Sequence, residues 1–271
     1  MNNLINFKKN ISPKGNEINS FFIQENLKID HLKNLFSKQD LNKISIYLNN
    51  VKKEKKTDVI FSFDMSERQK IIFIKINDDE KLSTIEQAGA TFYIFLKKNK
   101  LNKINLYSDT LKRKSNKKNI LHFIHGLNLK SYTFNKYKSF VKDKSIFPII
   151  VFSKDPKFLN ESYKKYYAIE SGVNLTRDLV SEPPNVLNPK KYVEIIKKLS
   201  SLGLKIKVYN EKKLKSMGMN ALLGVGQGSI NETFLVTLEW RGNKASKDKP
   251  LAFVGKGVCF DTGGISLKPA R

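Results

Sequence analysis

The sequence has a single cysteine and few residues that interrupt regular structure. Cys259 is alone among 271 residues, so no internal disulfide can form and disulfide-stapled folds are excluded. Its 14 glycines and 8 prolines are too few for a collagen-like or low-complexity chain. With 40% hydrophobic and 11% aromatic residues, the composition is that of a globular protein with a sizeable core. One thiol is typical of a reducing compartment and predicts a cytoplasmic protein.

Long hydrophobic runs are also absent. Residues 1–15 include lysines but no apolar segment of the kind that a secretory signal requires. The longest apolar runs, such as residues 147–152, are far shorter than the roughly 20 residues of a membrane-spanning helix. The sequence therefore predicts neither export by this route nor a membrane partner.

Positive charge is abundant, but arginine is scarce. There are 50 Lys and Arg residues against 25 Asp and Glu residues, a net charge of +25. Such an excess is typical of nucleic-acid-binding proteins. Here the basic residues are spread through both halves, and the arginines, which suit base and phosphate recognition best, are few. They are Arg68, Arg113, Arg177, Arg241 and Arg271. The pattern favours solvated lysine-rich surfaces.

From residue 57 onward, short β-branched runs alternate with amphipathic stretches, which predicts an α/β fold. Residues 29–36 and 41–48 fit either short helices or edge strands. The predicted strands are residues 58–63, 71–76, 104–107 and 147–152, and the predicted helices are Leu82–Lys98 and residues 120–127.

A long helical stretch over residues 161–180 indicates a bridge between two domains. Pro183 and Pro184 end it, because proline cannot continue a helix. Asn188 is a predicted N-cap with Pro189 at the first helical position. Beyond it we expect helices at residues 189–202 and 211–217 and strands at residues 204–209, 233–240 and 251–255. The predicted organisation is an N-terminal α/β domain (1–155), a linker helix with a proline-rich turn (156–188) and a second α/β domain (189–271).

The strongest candidate site follows the last predicted strand, within residues 253–268. Lys256, Asp261 and Lys268 lie there among closely spaced glycines. In open α/β sheets, ligands bind beyond the carboxyl ends of strands, and glycine lets the backbone approach a ligand closely. This pattern indicates a functional site, although Gly263 and Gly264 also fit an ordinary turn.

Two stretches resemble the leucyl aminopeptidase family (cytosol aminopeptidase, M17 peptidase). They are VGKGVCFDTGGISLKP at residues 254–269 and NLTRDLVSEPPN at residues 174–185. The resemblance is specific over residues 169–269 and architectural before them. It implies a smaller N-terminal α/β domain followed by a catalytic α/β domain with a mixed, mostly parallel sheet.

The resemblance also implies a metal-dependent exopeptidase that releases N-terminal amino acids, with a leucine-type preference, from peptides with a free N-terminus. Such enzymes are usually homohexamers with two divalent ions, Mn²⁺ or Zn²⁺. By position, Lys256 matches a lysine metal ligand and Asp261 an aspartate that contributes to both metals. Lys268 matches the catalytic lysine that polarises the scissile carbonyl and stabilises the tetrahedral intermediate.

The sequence departs from the family pattern after this motif, because Arg271 follows it closely. In the family, a further aspartate ligand and an Asp-x-Glu-x-Arg cluster lie downstream. We therefore expect an incomplete catalytic domain, either part of a longer enzyme or a truncated product that is inactive alone.

The other candidate nucleophiles and ligands have structural interpretations. Cys259 has no histidine nearby in sequence and is predicted to be a small buried residue. His122 and His125 are spaced i, i+3 on a predicted helix but have no obvious carboxylate partners, so we predict structural or surface roles.

A rival function remains open: a basic, non-enzymatic nucleic-acid-binding protein that carries a relic peptidase segment. It would show tight DNA binding that weakens steeply with salt, because counterions are released. We predict only non-specific association with duplex DNA, with a dissociation constant of about 10⁻⁶ M or weaker at physiological salt. A salt titration by fluorescence anisotropy measures this, and nanomolar binding would favour the rival function.

Overall fold

The computed structural model describes residues 5–13, 17–54, 57–101, 103–111, 118–140, 148–243, 245 and 247–260. The chain divides into two compact units, Met1–Arg177 and Asp178–Arg271. The domain boundaries that the sequence suggests, at residues 155 and 188, stay a prediction. No helix within the described ranges is both long and apolar enough to cross a membrane.

The first unit contains a six-stranded sheet and its covering helices. The strands are β1 (Ile5–Lys9), β2 (Ile18–Ile23), β3 (Ile60–Ser66), β4 (Gln69–Lys75), β5 (Ile104–Tyr107) and β6 (Ile149–Ser153). The helices are α1 (Lys38–Lys53), α2 (Leu82–Lys98), α3 (Asn119–Ser131) and α4 (Pro156–Ser181). The strand order is β1-β6-β5-β2-β4-β3, and all pairs are parallel except β3 with β4.

In the second unit the described elements are α5 (Pro189–Lys198), β7 (Lys205–Tyr209), α6 (Glu211–Ser216), α7 (Asn220–Gly226) and β8 (Leu235–Glu239). β7 and β8 pair antiparallel. The predicted α/β class is confirmed, and the structure contains a mixed, mostly parallel sheet. Within the described residues this sheet lies in the first unit, whereas the resemblance implied one in the catalytic domain, where the described sheet is the β7–β8 pair.

Both faces of the large sheet are buried. On one face α1 packs Ile44, Leu48 and Val51 against the strands. On the other face α2, α3 and the first turns of α4 form a second apolar cluster. A strand covered on both faces needs apolar side chains throughout, and Ile71–Ile74 of β4 are fully buried.

The clearest sequence patterns gave the most accurate predictions. The α2 helix has the predicted bounds, Leu82–Lys98, and residues 41–48 lie inside a helix rather than an edge strand. The sequence did not reveal β2, because polar Asn19 and Ser20 interrupt its apolar run. Both are buried, and the Asn19 side-chain oxygen accepts a hydrogen bond from Asn105 Nδ2 at 3.1 Å.

The α2 and α3 helices approach so closely that their backbones touch through two glycines. A Cβ atom on Gly126 would overlap the backbone carbonyl of Glu86, and one on Gly89 would overlap the carbonyl of Phe123. Only glycine fits at either position. This contact lets both helices lie over the same face of the sheet.

His122 links three helices by its two ring nitrogens. Its Nδ1 lies 2.7 Å from Glu86 Oε1 on α2, and its Nε2 lies 2.9 Å from the Tyr166 hydroxyl on α4. Both nitrogens are thus occupied by side chains that hold α2, α3 and α4 together, in agreement with the predicted structural role.

His125, one turn further along α3, contacts a buried carboxylate. Its Nδ1 lies 2.9 Å from Glu170 Oε1, and Glu170 is only 5% exposed. Oε2 of Glu170 accepts from Asn128 Nδ2 at 3.0 Å and from the Tyr163 hydroxyl at 2.9 Å. Burial, and then the charge of Glu170, raise the pKa of Tyr163, so its hydroxyl stays protonated and can donate. The cluster stabilises the α3–α4 contact.

We predict that Gly126→Ala destabilises the protein by about 1–3 kcal/mol, because the added methyl group overlaps the α2 backbone. Gly172→Ala on α4 is the matched control, since a Cβ there meets no atom within 4 Å. It should stabilise by roughly 0.5–1 kcal/mol through helix propensity. Urea denaturation followed by circular dichroism measures both, and equal effects would refute the close helix contact.

Glu170→Gln should also destabilise the protein, by about 1–3 kcal/mol. The amide NH₂ group of glutamine would face the buried donors from which the carboxylate now accepts hydrogen bonds. Glu161→Gln, on the same helix, is the control: Glu161 is exposed and paired with the exposed Lys164 at 2.7 Å. Exposed pairs contribute about 0–1 kcal/mol. Thermal unfolding of the two variants compares them, and similar losses would show that the buried cluster contributes little.

Candidate functional site

A hydrogen-bonded turn follows α4 within the second unit. The Pro183 carbonyl accepts hydrogen bonds from the backbone N–H groups of Val186 and Leu187, both at 2.9 Å. Asn188 Oδ1 then accepts from the Lys191 N–H at 3.0 Å, and Pro189 begins α5. The predicted N-cap is confirmed, and the proline pair ends the long helix as expected.

The run that follows β8 differs from its prediction. Residues 251–255 were expected to form a buried strand, but they have no strand conformation and are exposed, with Val254 at 99% and Phe253 at 90%. A buried strand needs neighbours that pair its backbone and cover its side chains. In the described part of the chain β8 pairs only with β7, and no strand lies beside this run.

Lys256 lies in this exposed run. Its carbonyl accepts a hydrogen bond from the Val258 N–H at 3.0 Å, which makes a tight turn. Gly257, inside the turn, lies close to Tyr192 of α5, since a Cβ there would be 3.0 Å from Tyr192 Cε1. Sequence reasoning did not identify Tyr192 as a neighbour of the motif, because no local signal links residues so far apart in the chain.

Asp261 and Lys268 lie outside the described residues, so their positions relative to Lys256 are not part of the structure. Among the three residues singled out from the sequence, the structure thus describes Lys256 alone. Cys259 is described and half-buried. Burial raises the pKa of its thiol, which disfavours the thiolate that a nucleophile or a metal ligand requires.

The described residues do not by themselves form a metal centre. Within the described ranges no group of three or more His, Cys, Asp or Glu side chains is placed to hold a metal ion. Lys256 is a single nitrogen donor on an exposed turn, and a divalent ion needs several oxygen or nitrogen ligands. A metal site here would therefore depend on residues beyond those that the structure describes.

Arg177 belongs to the stretch that resembles the aminopeptidase family, and its side chain holds the end of α3. Its Nη1 donates to the Leu129 carbonyl at 2.6 Å, and its guanidinium lies 5.4 Å from the centre of the Tyr132 ring. Sequence patterns alone indicate no specific role for Arg177. These contacts assign it to packing between α3 and α4.

Comparison with known protein families matches residues 174–271 to the catalytic domain of the cytosol aminopeptidase family. The probable cytosol aminopeptidase of Phytoplasma mali (strain AT) is 43% identical over 176 residues, which are 63% of this chain and 35% of that protein. That of Brucella melitensis biotype 1 is 46% identical over 150 residues, 54% of this chain and 31% of that protein. The chain thus spans about a third of the length of the curated relatives it matches.

Solved structures share the fold. A mutant of tomato leucine aminopeptidase aligns with a TM-score of 0.77 at 19% identity, covering 96% of this chain and 55% of its own. The bottromycin maturation enzyme BotP, solved in complex with Mn, aligns with a TM-score of 0.62 at 14% identity, covering 82% and 45%. At these identities the likeness concerns the α/β fold. The family match confirms the resemblance found in the sequence, and residues 174–271 belong to the catalytic domain of the cytosol aminopeptidase family, the M17 leucyl aminopeptidases.

Proposed function

We propose that this protein acts as a leucyl-type aminopeptidase, which hydrolyses the first peptide bond of substrates with a free N-terminus. The observation that carries the proposal is the match of residues 174–271 to the family's catalytic domain. That match includes Lys256, Asp261 and Lys268, the three residues that the motif at residues 254–269 assigns to the chemistry.

The chemistry of each side chain suits its proposed role. Lys256 and Asp261 would hold the metal ions: a carboxylate can span two of them, and a lysine can ligate once its amine is deprotonated. Lys268 would stay cationic and meet the carbonyl oxygen as it becomes negative in the transition state. An ammonium group that is already held in position when the reaction begins stabilises that charge without any reorganisation of solvent.

Two divalent ions, Mn²⁺ or Zn²⁺, are the proposed cofactors, and such ions supply Lewis acidity and lower the pKa of water. The Mn present in the BotP structure, a fold relative, supports this choice. We also propose a cytoplasmic location, supported by the names of the curated relatives, and a homohexameric assembly, supported by the family resemblance.

We further propose that the 271-residue polypeptide is inactive by itself and that residues 189–271 begin a larger catalytic domain. Two divalent ions need more ligands than one lysine and one aspartate. The resemblance places the remaining carboxylates in a segment beyond the motif. The 35% share of the Phytoplasma mali relative that the matched region covers supports a longer active protein.

The test is hydrolysis of leucine p-nitroanilide by the protein produced from its own gene, with Mn²⁺ or Zn²⁺ added. Lys268→Met should lower kcat by about 10²- to 10³-fold, since it removes the charge opposite the developing oxyanion. Asp261→Asn should abolish the response to added metal. Lys249→Met, which removes the charge of an exposed lysine outside the motif, is the control and should leave kcat unchanged.

Two results would contradict the proposal. Equal kcat values for Lys268→Met and Lys249→Met would remove the catalytic role of Lys268. Metal-dependent turnover by the 271-residue polypeptide alone would show that no further ligands are required. A chelator treatment followed by metal addition tests the metal dependence, and circular dichroism of the metal-free protein shows whether the metal only stabilises the fold.

A further inference from the structure

The first unit contains a cleft at the point where its sheet reverses direction. After β2 the chain leads to α1, which covers one face of the sheet, and after the neighbouring β5 it leads to α3 on the opposite face. Adjacent parallel strands whose connections depart to opposite faces leave a crevice at their carboxyl ends. In open α/β sheets this crevice is the usual position of a ligand site.

Two side chains fix the walls of this cleft. The ladder between β2 and β5 ends at Phe21 and Tyr107, one residue before Phe22. The Phe22 N–H donates to Thr110 Oγ1 at 2.9 Å, and its carbonyl accepts from His31 Nε2 at 2.9 Å. Because a carbonyl can only accept, His31 carries its proton on Nε2. Side chains thus take the place of the next ladder bonds, and the two strand ends stay apart.

The space between them is a cavity of about 130 Å³ with an apolar floor and a charged mouth. Phe22, Ile23 and Ile76 form the buried floor. An engineered cavity of about 150 Å³ holds benzene, so this one is suited to a ligand of roughly six non-hydrogen atoms. The polar lining residues are Gln24, Lys28, Asp30, His31 and Thr110.

The loop that carries the charged mouth has a strained residue. Leu27 has a φ of 57°, in the left-handed region that a leucine rarely adopts, and its N–H donates to the Gln24 carbonyl at 2.9 Å. Such conformations cost about 1–3 kcal/mol and cluster at ligand sites. The turn brings Lys28 to the mouth of the cleft.

The charges at the mouth define the chemistry of a ligand. Lys28 and Asp30 are both exposed there, and the Lys33 ammonium lies 2.7 Å from Asp30 Oδ1, so the mouth presents two positive groups and one negative group. The hydrogen bond from Lys33 and its charge hold the pKa of the Asp30 carboxyl below its usual value, so this carboxyl is charged at neutral pH. A simple cation would meet the Lys28 and Lys33 ammonium groups, and a simple anion would meet the Asp30 carboxylate.

We propose that this cleft binds a free α-amino acid with a small apolar side chain. The ligand carboxylate accepts from Lys28, the ligand ammonium donates to the second carboxylate oxygen of Asp30 beside the one that pairs with Lys33, and the side chain lies on the floor of Ile23 and Ile76. A zwitterion offers a carboxylate to the ammonium groups and an ammonium to Asp30, and alanine has six non-hydrogen atoms. The site rests on the geometry of the first unit alone, independently of the proposed aminopeptidase activity.

Isothermal titration of the 271-residue chain with L-alanine tests the proposal, with propionate, ethylamine and inorganic phosphate as comparison ligands. L-alanine should bind with a dissociation constant below about 10 mM. Lys28→Met and Asp30→Asn should each weaken this binding by about tenfold or more, the effect of losing a charge-assisted hydrogen bond. Lys52→Met, which removes an exposed lysine of α1 that does not line the cleft, should leave the affinity unchanged.

Three outcomes would overturn the proposal. They are a dissociation constant for alanine above about 10 mM, equal affinities in Lys28→Met and the wild type, and phosphate or propionate bound as tightly as alanine. Circular dichroism of each variant confirms that its fold is intact. Because no activity is measured, the result is separate from the test of peptide hydrolysis.

Discussion

The contact between α2 and α3 is the constraint on which the first unit depends. Gly89 and Gly126 let the two helix backbones touch, and a side chain at either position would push the helices apart. With the helices in contact, two histidines of α3 face α4. There His122 hydrogen-bonds to Tyr166, and His125 hydrogen-bonds to Glu170. The far face of the sheet is covered by α1, so β4 and its neighbours are buried on both sides. In the same arrangement, the chain after β5 leads to α3 on one face of the sheet, and the chain after β2 leads to α1 on the other face. The cleft at His31 and Thr110 lies where these two connections separate.

Sequence patterns predicted the parts of this fold in which one local signal dominates. The helical spacing of apolar residues gave α2 with its bounds, and the Asn188-Pro189 pair gave the start of α5. β2 was not predicted, because its polar residues Asn19 and Ser20 interrupt the apolar run, and Asn19 is paired with Asn105 of β5, a contact that local patterning does not show. The strand predicted at residues 251–255 was wrong for the complementary reason: an apolar run forms a buried strand only where partners cover it.

The two candidate sites differ in whether the amino-acid sequence alone can reveal them. Lys256, Asp261 and Lys268 are recognised by their order along the chain, and their chemistry is a proposal drawn from the family motif. The cleft lined by Lys28, Asp30 and Thr110 has no sequence motif, since its residues come from separate loops that only the sheet topology brings together. If the protein releases amino acids from peptides, the proposed ligand of the cleft belongs to the same chemical class as its product.

The proposed activity requires that Lys256 and Asp261 share a metal site. Crystals of the protein, produced from its own gene and grown with Zn²⁺, can be measured at the zinc absorption edge to locate the metal. We expect an anomalous peak at about 2.0–2.2 Å from both Lys256 Nζ and a carboxylate oxygen of Asp261. Zinc peaks only at other positions, with the Lys256 side chain exposed to solvent, would show that these two residues do not share a metal site.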